Sequence, residues 1–295
     1  MKKFKNNTLS IVIRYHRGAN FELLTEALFS VGCQTYDDIQ IVVVTQDCDV
    51  MIHRKIAQEI SQLPSIGPSV REIKIGPGKS PNVCHRIIDV SSRRTQPDIR
   101  GLLLNKGLAL SEGRFVAFLD YDDVLYQFFA SELIGQLKGH TAVAVGGCTR
   151  ADVKMRAGHY RAILKKAPWR QGTRNILNLI FDNFIPIHSF ILDRHKIDHA
   201  DLHFAVLPAL EDYDLLLRLA AKYQFDFSKL SLAVSEYRHR DDGSNITSQL
   251  DNPETAINWI AGRAHIDRLK RKLTFTRPLD EMSNLIAEFA NNKAL

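Results

Sequence analysis

Three aspartates directly follow a short apolar stretch in the first half of the chain. Residues 115–119 have the composition of a buried strand. Asp120, Asp122 and Asp123 come within the next four residues. Carboxylates this close repel one another unless a cation lies among them, and Mg²⁺ or Mn²⁺, bound by one or two carboxylates and substrate phosphates, is the usual solution. The pattern predicts a metal-bound diphosphate site. Asp123 also suits a capping role for a helix expected near Leu125.

Alternating strand and helix patterns surround these aspartates. Strands are predicted at residues 9–14, 39–45 and 70–75. Helices are predicted after the candidate cap Asn20 and at residues 51–63 and 100–111. This βαβ rhythm predicts an α/β protein with a mostly parallel, right-handed, doubly wound sheet. Open sheets of this kind bind ligands at the carboxyl ends of their strands, where the aspartates lie.

The second half of the chain has a mixed pattern. Strands are predicted at 141–149, 187–192 and 232–238, and helices at 173–183 and 211–222. Two further helical segments flank Arg277 and Pro278. We therefore expect one domain over residues 1–250, with a first half at 1–123 and a second half at 124–250. A C-terminal helical appendage is expected over 251–295.

Composition narrows the class of protein. The chain has 295 residues, of which 45% are hydrophobic and 24% charged, as in ordinary globular proteins. No apolar stretch approaches the ~20 residues of a membrane span, and the basic start leads directly into a strand, unlike a signal peptide. Four cysteines without a CxxC pair argue against a zinc or disulfide framework and favour a reducing compartment. These features predict a cytoplasmic protein.

The charge points to anionic partners. The net charge of +6 suits an anionic substrate, or peripheral association with the inner face of an anionic membrane. A generally solvated basic surface is an equally good explanation. No basic helix with interleaved aromatic residues and no nucleic-acid motif is present, so we expect no nucleic-acid partner.

Three segments together resemble glycosyltransferase family 2. Residues 105–123 match its metal-binding region, N-x-G-x-A-x-x-x-G-x-F-V-A-F-L-D-x-D-D. Residues 9–44 resemble its nucleotide-binding opening, and residues 210–220 its acidic acceptor-side helix. The resemblance covers roughly residues 9–247 and is specific because the three signatures occur in order. It implies the GT-A fold, with helices on both faces of the sheet, and an inverting, metal-dependent transfer from a nucleoside diphosphate sugar. It also implies that residues 1–123 form the nucleotide-sugar half of the domain and residues 124–250 the acceptor half.

The resemblance also implies roles for individual residues. Asp122 would ligate Mg²⁺ or Mn²⁺, Asp120 would share the metal or contact the ribose, and Asp212 would be the general base, with Glu211 as the second choice. His239 lies near the place where many members have a further metal ligand, about one position off. The nucleotide-binding positions it implies are Arg14, Asp47, Arg100, Asn105 and Asp120.

The chain departs from the family pattern at two places. The usual Asp-Asp-Gly-Ser after the second strand is Thr45-Gln46-Asp47-Cys48 here, which leaves the identity of the base and the role of Asp47 open. The Q-x-x-R-W element of processive polysaccharide synthases is absent. We therefore expect one or a few sugar additions to a glycan or lipid-linked acceptor, in cell-surface polysaccharide or glycolipid synthesis.

Several alternatives stay open at this point. A nucleotidyltransferase acting on sugar phosphates would normally have a glycine-rich loop after the first strand, where this chain has a single glycine, Gly18. A glycosidase would need neither metal nor nucleotide. A non-catalytic module could bind a sugar nucleotide without turnover. The acids at 211–214 also suit a charged first helical turn, and His188 suits either an acceptor pocket or the core.

Overall fold

The structure, a computed structural model, describes residues 5–64, 72–76, 84–91, 99–156, 159–169, 174–242, 245, 252–276, 282–287 and 290. Within these ranges ten strands form one sheet. The strands are β1 Lys5–His16, β2 Ile39–Gln46, β3 Ile73–Ile75, β4 His85–Val90, β5 Gly113–Asp120, β6 Val124–Leu125, β7 Thr141–Arg156, β8 His159–Pro168, β9 Phe190–Asp193 and β10 Gln224–Arg240. The helices are α1 Phe21–Gly32, α2 Val50–Ser61, α3 Arg100–Leu110, α4 Phe129–Ile134, α5 Ile176–Phe181, α6 Glu211–Lys222 and α7 Pro253–Lys272.

The strand order confirms the predicted α/β class. The order is β3-β4-β2-β1-β5-β9-β7-β10-β6, with β8 paired to β7. The five strands from β3 to β5 are parallel, so their carboxyl ends meet at one edge. Beyond β5 the sheet is mixed, because β9 runs antiparallel to both of its neighbours while β10 runs parallel to β7.

Apolar cores cover both faces of the parallel region. Along β1, Val12 belongs to one core, whereas Ile11 and Ile13 belong to the other. The same alternation occurs in β5, where Phe118 and Leu119 point to opposite cores. Because successive side chains of a strand point to opposite faces, a continuous apolar run is what a doubly covered strand requires.

Polar side chains cap two of the predicted helices, one of them at the predicted cap Asn20. Asn20 caps α1 by accepting a hydrogen bond from the Glu22 amide, and Asp49 does the same for α2 through Ile52. In α3, a Cβ on Gly107 would lie 2.2 Å from Val12, so only glycine lets this helix approach β1 so closely. None of the helices in the described ranges has both the length and the apolar character that crossing a membrane requires.

Four predicted elements have other bounds in the structure, and some observed strands were not predicted. Strand β4 was not predicted, since its buried run is short and begins with His85 and Arg86. Strands β7 and β10 extend well beyond 141–149 and 232–238. The segment 187–192 starts as a 3-10 turn before β9, and the helix expected at 173–183 spans only Ile176–Phe181. Residues 70–71, the predicted start of the third strand, lie outside the described residues.

Helix α7, expected as an appendage, packs against the rest of the fold. Its Ile266 is buried in the core that includes α6 residues. A Cβ on Gly262 would lie 2.7 Å from the carbonyl oxygen of Ala209, so the helix closely approaches the segment before α6. The helix therefore stands beside the same sheet edge as α6. The division of the chain at residue 250 stays a prediction.

Candidate functional site

A cleft of about 760 Å³ lies at the carboxyl edge of the parallel strands. Its walls come from the ends of β1 and β5, the start of α6, and α7. A smaller pocket of about 390 Å³ adjoins it and shares Arg100 and Trp259 with it. The acidic side chains that line the larger cleft are Asp120, Asp122, Asp123, Asp182, Glu211, Asp212 and Asp267.

Arg14 joins the end of β5 to the start of α6. The register of β1 and β5 sets Arg14 beside Asp120, and its Nε donates to Asp120 Oδ1 at 2.7 Å. Its Nη1 donates to Glu211 Oε1 at 2.9 Å, and Arg100 Nε lies 3.8 Å from the same oxygen. Burial alone would raise the pKa of Asp120, but the charge and hydrogen bonds of Arg14 outweigh it and lower that pKa.

Glu211 reaches Arg14 through an unusual turn. Leu210 has φ of +66°, a left-handed conformation that costs free energy in a leucine, and it directly precedes the helix. Asn105 anchors the loop before this turn, since its amide donates to the Phe204 carbonyl at 2.8 Å and accepts from the Phe204 amide at 2.7 Å. Asn105 is not among the residues lining either pocket, and its predicted contact with a nucleotide stays a prediction.

Asp122 is paired with Arg240 at the end of β10. Arg240 Nη1 donates to Asp122 Oδ2, and the two side chains are only 4% and 16% exposed. The Arg240 amide donates to Asn245 Oδ1 at 2.7 Å, which fixes the backbone at this point. Burial would lower the pKa of Arg240, but the charge of Asp122 outweighs it and raises that pKa.

The prediction that Asp123 caps a helix near Leu125 is wrong. Residues Val124–Leu125 form β6, and α4 begins later, at Phe129, without a side-chain cap. Asp123 is buried, and its Oδ1 accepts from the Arg238 amide of β10 at 2.8 Å. Its Oδ2 lies 3.2 Å from His188 Nδ1, outside hydrogen-bond alignment. Burial, followed by the charges of Asp122 and Asp120, raises the pKa of Asp123 well above its usual range.

Asp212 differs from Asp120, Asp122 and Glu211, which are each paired with an arginine. Its carboxylate accepts a hydrogen bond from the Tyr213 amide at 2.7 Å and makes no ion pair with any described side chain. Burial, reinforced by the charge of Glu211, raises the pKa of Asp212 to about 6. A carboxylate with this pKa is ionised at neutral pH and can accept a proton. Asp212 therefore has the environment of a general base.

The remaining predicted residues lie at different places. Asp47 lines the smaller pocket, and its φ of +54° is a left-handed conformation that aspartate tolerates. Arg100 lines both pockets. His239 lines neither, and its Nδ1 lies 3.5 Å from Asp152 Oδ1 on the neighbouring strand. His188 is both buried and part of the cleft wall, so a core position and a position beside an acceptor pocket are compatible for this residue.

Three features of the site were not predicted. His239 was predicted as a metal ligand, whereas no role was predicted for its neighbour Arg240. Asp89, at the end of the unpredicted β4, accepts from Thr45 Oγ1 at 2.7 Å and from the Cys48 amide at 2.9 Å, which fixes the turn that carries Asp47. Trp259 of α7 lines both pockets. An acid at the end of a short apolar run was the available signal for Asp89, whereas nothing local identifies Trp259.

The described carboxylates do not form a closed metal cluster of their own. No cluster of three or more His, Cys, Asp or Glu side chains with the spacing of a metal site occurs in the described ranges. Of the three predicted ligands, Asp120 and Asp122 each contact an arginine through one carboxylate oxygen. The guanidinium groups therefore balance part of the negative charge from which the sequence predicted a metal. The metal role of Asp120, Asp122 and His239 stays a prediction.

Comparison with curated proteins finds distant relatives. Two proteins called uncharacterized glycosyltransferases, from Rickettsia felis and Rickettsia bellii, are each 23% identical to the chain over 254 and 265 residues. The matches cover 85% of this chain but 37% and 32% of the relatives. The chain thus spans about a third of the length of these relatives. No protein-family model matches it.

Comparison with solved structures confirms the fold. Mannosyltransferase PcManGT from Pyrobaculum calidifontis, in complex with GDP-Man and Mn²⁺, matches with a TM-score of 0.57 and 12% identity, over 88% of this chain and 64% of that one. S. aureus TarS 1–349, in complex with UDP-GlcNAc, matches with a TM-score of 0.51 and 14% identity, over 95% and 79% of the two chains. At these identities the likeness shows a shared fold alone.

Proposed function

We propose that the protein is an inverting glycosyltransferase that moves a sugar from a nucleoside diphosphate to a hydroxyl group of an acceptor. The observation that carries this proposal is Asp212, an acid without an ion-pair partner among the described side chains, in a cleft at the carboxyl edge of the sheet. The names of the two relatives and the fold shared with two sugar-nucleotide complexes support the same function.

The adjoining pockets suit the two parts of such a donor. In our proposal the nucleotide occupies the smaller pocket beside Asp47, and Arg100, which lines both pockets, contacts the diphosphate at their junction. The sugar then lies in the larger cleft, within reach of Asp212. Binding energy from the nucleotide holds the anomeric carbon in position for attack.

In the transfer step, Asp212 removes the proton from the acceptor hydroxyl. The acceptor oxygen forms a bond to the anomeric carbon while the bond from that carbon to the diphosphate oxygen breaks. The nucleoside diphosphate leaves with the bonding electrons, and the proton passes from Asp212 to solvent. A single displacement from the face opposite the leaving group inverts the anomeric configuration. Asp120 and Asp122 are the residues that would hold a divalent cation together with the diphosphate, and such an ion would supply positive charge for the leaving group.

The acceptor is proposed from charge alone. The net charge of +6 suits an anionic, lipid-linked or polyanionic glycan acceptor, as in surface polysaccharide or glycolipid assembly. The basic side chains Arg263 and Lys270 of α7 line the cleft and would face such a substrate.

The test is the substitution Asp212→Asn, assayed with a panel of UDP-, GDP-, CMP- and TDP-sugars and mixed glycan acceptors. We expect acceptor-dependent release of nucleoside diphosphate to fall by roughly 10²–10⁴-fold, because the amide cannot take the proton. Donor binding, measured by calorimetry, should persist. In the wild type, kcat/KM should rise with pH through about 6 and then level, since only the ionised carboxylate acts as base.

Asp198→Asn is the matched control, since Asp198 is an exposed acid outside both pockets. It should leave transfer and binding unchanged. Transfer by Asp212→Asn at the wild-type rate would refute the role of Asp212. Failure of every sugar nucleotide to bind the wild type would refute the proposed function itself.

A further inference from the structure

We propose that the outward face of α7 binds the surface of an anionic lipid bilayer. This outward face consists of side chains that recur every three or four residues along the helix, Ile257, Ile260, Ala261, Ala264, Arg268, Arg271 and Lys272. The net charge of the chain named no surface for such binding. The binding itself is independent of the proposed function, whereas its consequence for a lipid-linked acceptor rests on that function.

Contacts with the rest of the fold fix which side of α7 points outward. A Cβ on Gly262 would lie 2.7 Å from the carbonyl oxygen of Ala209, and Ile266 is 3% exposed in the core that includes α6. Gly262 and Ile266, four residues apart, therefore lie on the inner side of the helix. Ile257 and Ile260 lie on the other side and are 64% and 67% exposed. The described residues thus leave the outward face largely uncovered.

The first half of the outward face has only apolar side chains. Its four positions carry Ile257, Ile260, Ala261 and Ala264. A helix that packs on a globular domain normally presents charged or polar residues to water, so an apolar stripe on this side indicates a contact surface. Since the two isoleucines are one helical turn apart, they can enter the headgroup region of a bilayer together.

The second half of the outward face is basic. Arg268, Arg271 and Lys272 are exposed, and none of them makes an ion pair with a described side chain. The two acids of the helix, Glu254 and Asp267, line the smaller pocket and the cleft respectively. Lysine and arginine side chains beside a membrane are attracted to its anionic headgroups. Charge complementarity therefore favours an anionic bilayer over an apolar protein surface as the partner.

The apolar and basic halves lie on the same side of one straight element. Eight residues separate Ile260 from Arg268, which corresponds to about 12 Å along the helix axis. The strength with which a helix binds a membrane surface depends on both its buried apolar area and its attraction to anionic lipids. Two isoleucines bury little area, so the inference requires both halves to contribute.

Binding through α7 would place the cleft beside the lipid. The inner side of α7 forms part of the cleft wall through Trp259, Arg263 and Lys270. Phe181, another residue of that wall, is 70% exposed. Because a helix with its side chains is about 10–12 Å in diameter, the cleft would begin roughly one helix diameter from the headgroups. An acceptor anchored in the bilayer could then present its hydroxyl group to the cleft without leaving the membrane.

The experiment is sedimentation of the full chain with vesicles of phosphatidylcholine, with or without about one third phosphatidylglycerol. We expect the wild type to sediment with the anionic vesicles and to stay in solution with the neutral ones. Ile257→Ser combined with Ile260→Ser should weaken binding by about tenfold or more, because the apolar surface that enters the bilayer is lost. Arg268→Gln, Arg271→Gln and Lys272→Gln together should weaken it by about tenfold or more, since each charge adds attraction.

The matched control combines Phe29→Ser, Arg54→Gln and Lys55→Gln. Phe29 of α1 is 57% exposed, Arg54 and Lys55 of α2 are exposed, and both helices pack on the opposite core of the sheet. This variant should bind vesicles as the wild type does. All side chains substituted on α7 and in the control lie outside both pockets. We therefore expect unchanged transfer to a water-soluble acceptor, and thermal melting checks that each variant is folded.

Four results would overturn the inference. The wild type could fail to sediment with anionic vesicles, or the control could lose binding as the α7 variants do. A serine variant that binds like the wild type would show a general polyanion surface without lipid insertion. A wild-type dimer that the serine substitutions convert to a monomer, without vesicle binding, would show that a second copy covers this face. None of these results affects the proposed function, and Asp212→Asn should bind vesicles as the wild type does.

Discussion

The chain contains two acid triplets with nearly the same spacing, and the fold treats them differently. Each has three acids within four residues at the carboxyl edge of the sheet. We call them the β5 acids, Asp120, Asp122 and Asp123, and the α6 acids, Glu211, Asp212 and Asp214. Arg14 contacts one member of each triplet.

Two of the three β5 acids pair with arginines, and the third is buried with a raised pKa. Asp120 has Arg14 and Asp122 has Arg240, while burial raises the pKa of Asp123 well above the usual range and favours its neutral carboxyl group. Part of the negative charge that the sequence concentrates here is thus balanced by arginines from other strands. Carboxylates this close together in the sequence indicate basic partners from other parts of the chain.

Only two of the α6 acids are neutralised in this way. Glu211 accepts from Arg14, and Asp214 contacts Arg218 at 2.8 Å and His265 at 2.8 Å. Asp212 keeps an ionisable carboxylate in the cleft with a pKa of about 6. The comparison teaches that the acid left without a counter-ion, rather than the densest cluster, marks the candidate base.

The largest expected effect tests the residue that links the triplets. Arg14→Gln leaves Asp120 and Glu211 without their shared cation, and stranding buried carboxylates typically costs 3–5 kcal/mol. We expect the free energy of unfolding to fall by about that amount at neutral pH, measured by urea denaturation. The pKa of Asp120 is lowered in the folded state, so its share of this stabilisation is present at neutral pH and is lost as the Asp120 carboxylate becomes protonated in acid.

Arg150→Gln is the control for this measurement. Arg150 pairs with Asp152 at a site where both side chains are more than a third exposed, so its loss should cost about 1 kcal/mol or less. Similar small values for the two arginines would mean that Arg14 does not hold the triplets together.

Substitutions at Asp212 and Asp214 should change the free energy of unfolding in opposite directions, by less than Arg14→Gln does. Its raised pKa means that the ionised carboxylate of Asp212 is disfavoured in the folded state, so Asp212→Asn should stabilise the protein by on the order of 1–3 kcal/mol above pH 6. The gain should vanish near pH 4, where the unfolded chain also binds the proton. Asp214→Asn should instead destabilise, because Arg218 and His265 lose a charged partner. Equal shifts for both variants would remove the distinction between the two acids.

The elements that the sequence predicted best are those determined by local pattern. The capped helix after Asn20, the buried strand ending at Asp120 and the amphipathic helix of residues 211–222 all occur close to their predicted bounds. Strand β4 was missed because its apolar run is short, and the length of β10 was underestimated because its first half is polar and half-exposed. Pairing with β7 holds that half in the sheet, and tertiary pairing of this kind leaves no local signal.

The site could be predicted only in part for the same reason. The acids were identifiable because they follow a strand or begin a helix. Their partners were not, since Arg240 lies 118 residues from Asp122 and Glu211 lies 197 from Arg14. The choice between a metal and an arginine as counter-ion depends on these long-range contacts. The spacing of the acids along the chain cannot show whether their counter-ion is a metal or an arginine.

The smallest expected effect concerns the third β5 acid. If Asp123 is neutral, the amide of Asp123→Asn has the same shape and can still accept from the Arg238 amide, so the free energy of unfolding should change by less than about 1 kcal/mol. Asp123→Leu has no acceptor and should cost about 1–3 kcal/mol, because it leaves that buried amide unpaired. Denaturation at pH 7 measures both. A loss in Asp123→Asn as large as that in Arg14→Gln would show that Asp123 is ionised against His188, and the β5 acids would then also retain an ionised carboxylate beside the cleft.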